Sequence, residues 1–270
     1  GPENGSIYST LRTQINGGIR GAFLVQQVES HALALEARNT ELDAFAHTVA
    51  HDLKNPVSTV LLLSSMLRSS FTKMPLAKVQ EMLEQIVQSG YNMVNSIDAL
   101  LLLSSVRQED VQSEPVEMAD ILADVEIQLS GLVSQYEAQL KTPETDSWPV
   151  VLGYGPWIEE IWINYISNAI KYGGRPDEGI PPIIEIGYDE PDEDHARFWV
   201  RDNGYGLTPE QQKKLFMPFT RLHQVRMEGH GLGLSIVHRI AQKLNGQVGV
   251  ESEVGDGSLF YFILPKAPEE

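Results

Sequence analysis

Cysteine is absent from all 270 residues. That removes disulfides, thiolate nucleophiles and cysteine-based zinc sites together. Basic charge is scarce: 20 Lys+Arg stand against 37 Asp+Glu, a formal charge of −17. This balance argues against a nucleic-acid binder, which needs a basic face to neutralise phosphates, and against an anionic membrane surface as partner. A small anionic ligand held locally by backbone N–H groups stays possible. Long hydrophobic runs are also lacking. The stretch from Val57 to Leu67 is interrupted by serine and falls far short of the ~20 residues a membrane span needs. There is no signal-peptide pattern. Gly1-Pro2 without an initiator Met reads as a cleavage remnant of a longer protein, so residues 1–22 are set aside as that remnant plus an upstream sensor or signalling helix. What is plentiful is apolar side chain, 42%, enough for a core and too much for wholesale disorder. The length suits one large domain or two ordinary ones.

From residue 23 onward the first pattern is helical. With Val25 at heptad position a, that position falls on Val25, Ala32, Asn39, Ala46 and Leu53, and position d on Val28, Leu35, Leu42, Val49 and Pro56. All but Pro56 suit a coiled-coil seam, with Asn39 as the polar a residue that sets register. Pro56 should kink the helix or free a carbonyl. After a break over Ser69 to Pro75, a second run follows at Val79, Leu83, Ile86, Gly90, Met93, Ile97, Leu100 and Ser104. Two long helices with a short connection predict an antiparallel hairpin. One hairpin cannot cover both apolar stripes, so two copies should form a four-helix bundle, a homodimer.

Polar residues from Glu109 to Pro115 mark a boundary, dividing residues 23–110 from residues 111–270. Beyond it, strands are expected at Trp148 to Leu152, Ile183 to Tyr188, Ala196 to Asp202, Gly246 to Glu251 and Leu259 to Leu264. Helices are expected at Met118 to Tyr136, Pro156 to Tyr172 and Leu232 to Leu244. This is an α/β layer domain.

Several polar groups break these patterns. His51 occupies heptad position f, on the outer face, beside Asp52, Lys54 and Asn55. A neutral imidazole nitrogen is a competent nucleophile near pH 7, and an adjacent carboxylate can fix its tautomer and take a proton. His47, one turn earlier, is a rival that spacing alone does not eliminate. On the helix after Pro156, Glu160, Asn164 and Asn168 stand at i, i+4 and i+8, sharing one face that Lys171 extends. Asn is a poor interior helix residue, so the pair suggests carboxamide oxygens for a hard cation and a Lys for phosphate. Two glycine-rich loops follow: Asp202-Asn203-Gly204-Tyr205-Gly206 after a strand, and Gly229-His230-Gly231-Leu232-Gly233-Leu234 opening a helix. Glycines at a helix start let N–H groups approach phosphates. Neither loop is a P-loop. Between them, Phe216-Met217-Pro218-Phe219 reads as a lid hinge. Gly255-Asp256-Gly257-Ser258 reads as a tight turn between strands.

These segments, in this order and spacing from about residue 40 to residue 265, resemble the catalytic core of sensor histidine kinases of two-component systems. Residues 45–56 resemble the H-box and residues 164–172 the N-box. Asp202 to Gly206 resembles the G1 box, Phe216 to Phe219 the F-box, Gly229 to Gly233 the G2 box, and Gly255 to Ser258 the last glycine turn. The resemblance implies a dimerisation and histidine-phosphotransfer hairpin, then an α/β sandwich ATP-binding domain of the GHKL (Bergerat) type. It implies that His51 is the phosphoacceptor, Asp52 its activating acid, and Asn55 the residue that orients water in a phosphatase reaction. Asn168 matches the Mg²⁺ ligand, supported by Asn164. Lys171 and Tyr172 match ATP contacts, and Asp202 the carboxylate that reads the adenine amino group. Gly204 and Gly206 would shape the pocket, with Phe216 and Phe219 at the lid. Gly231 and Gly233 match the phosphate-facing glycines, with Gly229 and Leu232 as further cofactor-binding positions of the same loop.

The implied activity is ATP-dependent autophosphorylation of His51 and transfer to an Asp of a response-regulator receiver domain, with phosphatase action on that partner as a further use of the site. ATP and Mg²⁺ are the implied cofactors. The fragment is expected in the cytoplasm, its parent being either soluble or membrane-anchored. The alternative is a non-catalytic dimeric ATP-binding scaffold. Two departures stand out: Ser258 where Thr is frequent, which keeps the hydroxyl, and Gly155-Pro156 where Asp-Pro is frequent, which removes a possible N-cap carboxylate. Leu11 to Ile15 is similar to the closing helix of a GAF sensor domain, or is a generic signalling helix.

Overall fold

The computed structural model describes residues 26–27, 31, 50, 53–108, 111–143, 148–217 and 232–268. The chain divides into two units, Gly1–Lys54 and Asn55–Glu270. The proposed heptads over residues 25–49 lie almost wholly outside the described residues. Helix α1 covers residues 53–70 and runs through Pro56 without interruption. A 3-10 turn, Phe71–Lys73, leads into α2, Leu76–Gln108.

A helix of 33 residues draws most of its stability from packing rather than propensity. On α2 the apolar run splits into two stripes. Val79 and Met82 are buried, and Ile86, Met93 and Leu100 are half-buried. Leu83 and Ile97, between them, are 49% and 46% exposed. Ser89 and Ser96, on the inner stripe, satisfy their hydroxyls on Gln85 O and Asn92 O one turn back. The inner stripe is thus covered within this chain and the outer one is not.

The second layer is a five-stranded sheet in the order β2-β4-β5-β7-β6. Its strands are β2 Gln139–Lys141, β4 Ile183–Asp189, β5 His195–Asp202, β6 Gln247–Glu253 and β7 Gly257–Pro265. Among the described strands of this sheet only the β2–β4 pair is parallel. The helices are α3 Met118–Gln135, α4 Gly155–Tyr172, the short α5 Pro209–Gln212, and α6 Gly233–Lys243. Helix α4 packs against α3, α6, β4 and β5. It buries Trp157, Ile158, Ile161, Trp162, Tyr165, Ile166, Ala169 and Ile170.

Strand β5 shows why the sheet has a definite inner face. Ala196, Phe198, Val200 and Asp202 alternate as its buried residues, the period of 2 that a one-sided sheet requires. The ring of Trp162 meets Phe262 at 5.1 Å and Phe198 at 6.1 Å, both edge-on. Each such pair contributes about 0.5–1.5 kcal/mol beyond its buried area. Val106, near the end of α2, is fully buried in this same core. The last turns of α2 therefore serve the second layer as well as the hairpin.

One expectation needs correction, and two strands had no expectation at all. The strand placed at Trp148 to Leu152 is instead β3, Val151–Gly153, and it pairs with β1, Glu114–Val116, in a separate antiparallel ladder. Trp148 belongs to the aromatic core, 5.0 Å from the Tyr188 ring. Strands β1 and β2 went unread because three residues are too few to display an alternating pattern.

Candidate active site

The polar stripe of α4 starts a turn inside the helix. Tyr154 is the N-cap without a side-chain bond, Gly155 is the first helical residue, and Pro156 sits in the first turn. The position singled out for a missing cap carboxylate therefore lies inside the helix, not at its cap. Pro156 has no N–H to leave unsatisfied there.

Along the stripe, Asn164 Nδ2 donates to both the Glu160 carbonyl and Glu160 Oε1, each at 2.8 Å. Its Oδ1 faces Gly233, where a β-carbon would collide with it. A side chain larger than glycine's at the first residue of α6 would therefore push the Asn164 carboxamide out of this position. The first N–H groups of α6 have no carbonyl within their own helix to bond, and they sit at the positive end of the helix dipole. Asn168 is half-buried one turn further along, and Lys171 and Tyr172 end the stripe. Leu232, just ahead of α6, is buried.

At the other end stands Asp202. It is 7% exposed, and its Oδ1 accepts from the Gly204 N–H at 2.8 Å. Burial pushes its carboxyl above the usual range, while the N–H groups of Gly204 and Ser258 pull it back. The neighbouring glycines are required by close approach. A β-carbon at Gly204 would stand 2.6 Å from the Tyr172 carbonyl and 2.9 Å from Asp202 Oδ1. Gly206, at φ +69°, lies against the Glu253 carbonyl.

The turn at Gly255 and Gly257, with φ +96° and +83°, is the expected tight turn. It also closes the site from behind, since Gly257 packs on the Asp202 carbonyl. The hydroxyl kept at Ser258 meets Ser252 Oγ at 2.9 Å, and Ser252 Oγ in turn reaches Gly257 O and the Leu207 N–H.

Sequence reasoning passed over Asn203. Its Oδ1 accepts from the N–H groups of Gly174 and Ile183 at 2.9 and 2.8 Å, and its Nδ2 donates to Pro181 O at 3.1 Å. This single side chain ties the segment after α4 to the strand end that carries Asp202. Glu160 was seen as part of the stripe but given no task.

Phe216 is half-buried, its ring 6.1 Å from the His238 imidazole of α6. Asn55 is exposed on α1. His51, Asp52, Phe219, Gly229 and Gly231 lie outside the described residues. The structure thus brings Asn164, Gly233, Tyr172, Gly204 and Asp202 into one continuous wall of α4, α6 and the β5 end. Among the described residues no cluster of His, Asp and Glu could hold a metal. The donors available here are carboxamide oxygens, which suit a hard cation that keeps part of its water and phosphate shell.

A two-layer domain with a carboxylate at one end and a helix N-terminus against Asn164 at the other is the plan of a nucleotide-binding ATPase domain, here preceded by a helical hairpin. Comparison with known proteins agrees on both parts. Residues 153–268 match the family described as histidine kinase-, DNA gyrase B-, and HSP90-like ATPase. Residues 41–109 match the His Kinase A (phospho-acceptor) domain. Cyanobacterial phytochrome B of Nostoc sp. is 32% identical over 234 residues, 86% of this chain and 30% of that protein. The methanogenesis regulatory histidine kinase FilI of Methanothrix harundinacea is 31% identical over 261 residues, 92% of this chain and 29% of that protein.

Among solved structures, histidine kinase ThkA in complex with response regulator protein TrrA is 19% identical with a TM-score of 0.64, covering 87% of this chain and 65% of that one. The Acinetobacter baumannii histidine kinase AdeS is 21% identical with a TM-score of 0.60, covering 81% of this chain and 98% of that one. At these identities the structural likeness speaks for the fold. The chain belongs to the sensor histidine kinases of two-component systems, whose catalytic core it carries. It spans about 30% of the length of the curated relatives it matches. Among the described residues no helix is long and apolar enough to cross a membrane.

Proposed function

We propose that this chain phosphorylates its own His51 from ATP and passes the phosphoryl group to an aspartate of a response-regulator receiver domain. The observation that carries this reading is the approach of the Asn164 carboxamide oxygen to Gly233 at the α6 N-terminus, with Asp202 held at the far end. A nucleotide between them would put its base amino group on Asp202 and its phosphates on the α6 N–H groups. Mg²⁺, held by Asn168 with Asn164 in support, would neutralise the charge on the transferring phosphate. In the step itself a His51 ring nitrogen bonds the γ-phosphorus, the bond from the γ-phosphorus to the β,γ-bridging oxygen breaks, and ADP leaves. Asp52 orients the ring and takes its proton. In this reading the boundary between hairpin and nucleotide domain falls near residues 109–115, and the chain works in the cytoplasm.

The homodimer is part of the same reading. Leu83 and Ile97 are nearly half exposed, and Leu61, Val87, Val94 and Leu101 on α1 and α2 are more than half exposed. A second hairpin would cover this stripe. The receiver partner is supported by the likeness to ThkA, which was solved with its response regulator.

The test is incubation with Mg²⁺ and γ-labelled ATP. The expected result is acid-labile, base-stable label, reduced roughly tenfold or more in Gly233→Ala, whose methyl meets Asn164. Equal labelling of wild type and Gly233→Ala contradicts the placement of the phosphates.

A further inference from the structure

Glu160 is the ionisable group of the α4 stripe that nucleotide and phosphate contacts leave without a task. It is half-buried, and burial, its largest influence, raises its pKa while the Asn164 hydrogen bond lowers it. Its geometry is more specific than a solvated helix face requires. The Asn164 Nδ2 carries two hydrogens, and Glu160 supplies an acceptor for each, Oε1 and its own carbonyl, both at 2.8 Å. A carboxamide bound at one atom only is free to turn end for end. Here a turned carboxamide would set its oxygen against two acceptors and its NH₂ against the N–H-rich start of α6. Glu160 therefore decides which end of Asn164 faces Gly233.

We infer that Glu160 is a positioning residue: it fixes the Asn164 side chain so that oxygen, not NH₂, faces the N-terminus of α6 and the cation-bearing end of the nucleotide. The inference rests on the reading of Asn168 and Asn164 as the cation's protein contacts. Groups that hold a metal ligand in orientation typically change metal affinity about 10–100-fold when removed. Gln keeps a side-chain acceptor at the same reach, whereas Leu keeps the volume and loses Oε1, leaving Asn164 Nδ2 only the backbone carbonyl.

The experiment is calorimetric binding of a non-hydrolysable ATP analogue across a Mg²⁺ titration, repeated in EDTA, for wild type, Glu160→Leu, Glu160→Gln and Asn168→Ala. Glu160→Ala replaces the Leu variant if thermal melting shows the latter unfolded. Glu160→Leu should raise the Mg²⁺ concentration for half-maximal enhancement about tenfold. It should leave affinity in EDTA within about twofold, a separation that general damage to the fold would not give. Glu160→Gln should stay within about threefold of wild type. A wild-type Mg²⁺ titration in Glu160→Leu, with Asn168→Ala impaired, overturns the role of Glu160 and leaves the cation site standing. An unimpaired Asn168→Ala overturns the cation site, and the inference falls with it.

Discussion

Burial holds the Asp202 carboxyl above the usual carboxylate range, against the pull of the Gly204 and Ser258 N–H groups. A carboxyl whose pKa is higher folded than unfolded adds stability that is complete below its unfolded value, about 3.9. That contribution is lost as pH rises through the folded value. An ionised Asp202 is therefore a cost to the fold, which the proposed contact with the nucleotide base would explain. Asp202→Asn, which keeps an oxygen for the Gly204 N–H, should melt no lower than wild type at pH 7. Wild type should gain on it as pH falls toward about 4, while nucleotide affinity in the variant drops roughly tenfold or more. Thermal melts across pH, paired with nucleotide titration, check this. A variant melting well below wild type at neutral pH contradicts it. Asp202, Asn164 and Gly233 were legible in the sequence because each sits in a short local motif. Asn203 was not, because its partners Gly174, Pro181 and Ile183 lie 29, 22 and 20 residues away and no spacing rule connects them.

Among the elements, α4 and α6 were readable almost to the residue. Pro156 fixes the first turn of one, and strong amphipathic spacing marks both. The second run along α2 was also readable as apolar. Its division into an inner stripe at Val79, Ile86 and Met93 and an outer one at Leu83 and Ile97 needed the packed hairpin to be seen. That division carries a prediction. Each outer side chain is worth about 1.5–3 kcal/mol if fully buried against a partner. Leu83→Glu combined with Ile97→Glu should therefore turn a dimer into a monomer by light scattering, with the helix content of the hairpin kept. A dimer that survives both substitutions contradicts the four-helix bundle. The three-residue strands β1 and β2 show the opposite limit. What defines each is a partner strand distant in sequence, β3 for one and β4 for the other.

At the scale of the whole molecule, the formal charge of −17 coexists with a site for a polyanion. The reconciliation is local: backbone N–H groups at α6 and carboxamide oxygens on α4 need no basic surface. The cluster of polar residues near 109–115 is where the hairpin is proposed to give way to the nucleotide domain. The sharing of the core with the end of α2 through Val106 was not legible in the sequence, since one buried valine looks like any other in a helical stripe. The central claim is that the hairpin carries the acceptor and the α/β domain supplies the phosphoryl group. The most direct measurement is label incorporation from γ-labelled ATP with Mg²⁺ into wild type, His51→Gln and His47→Gln. The account predicts acid-labile label in wild type and His47→Gln and none in His51→Gln. Label that persists in His51→Gln would contradict it.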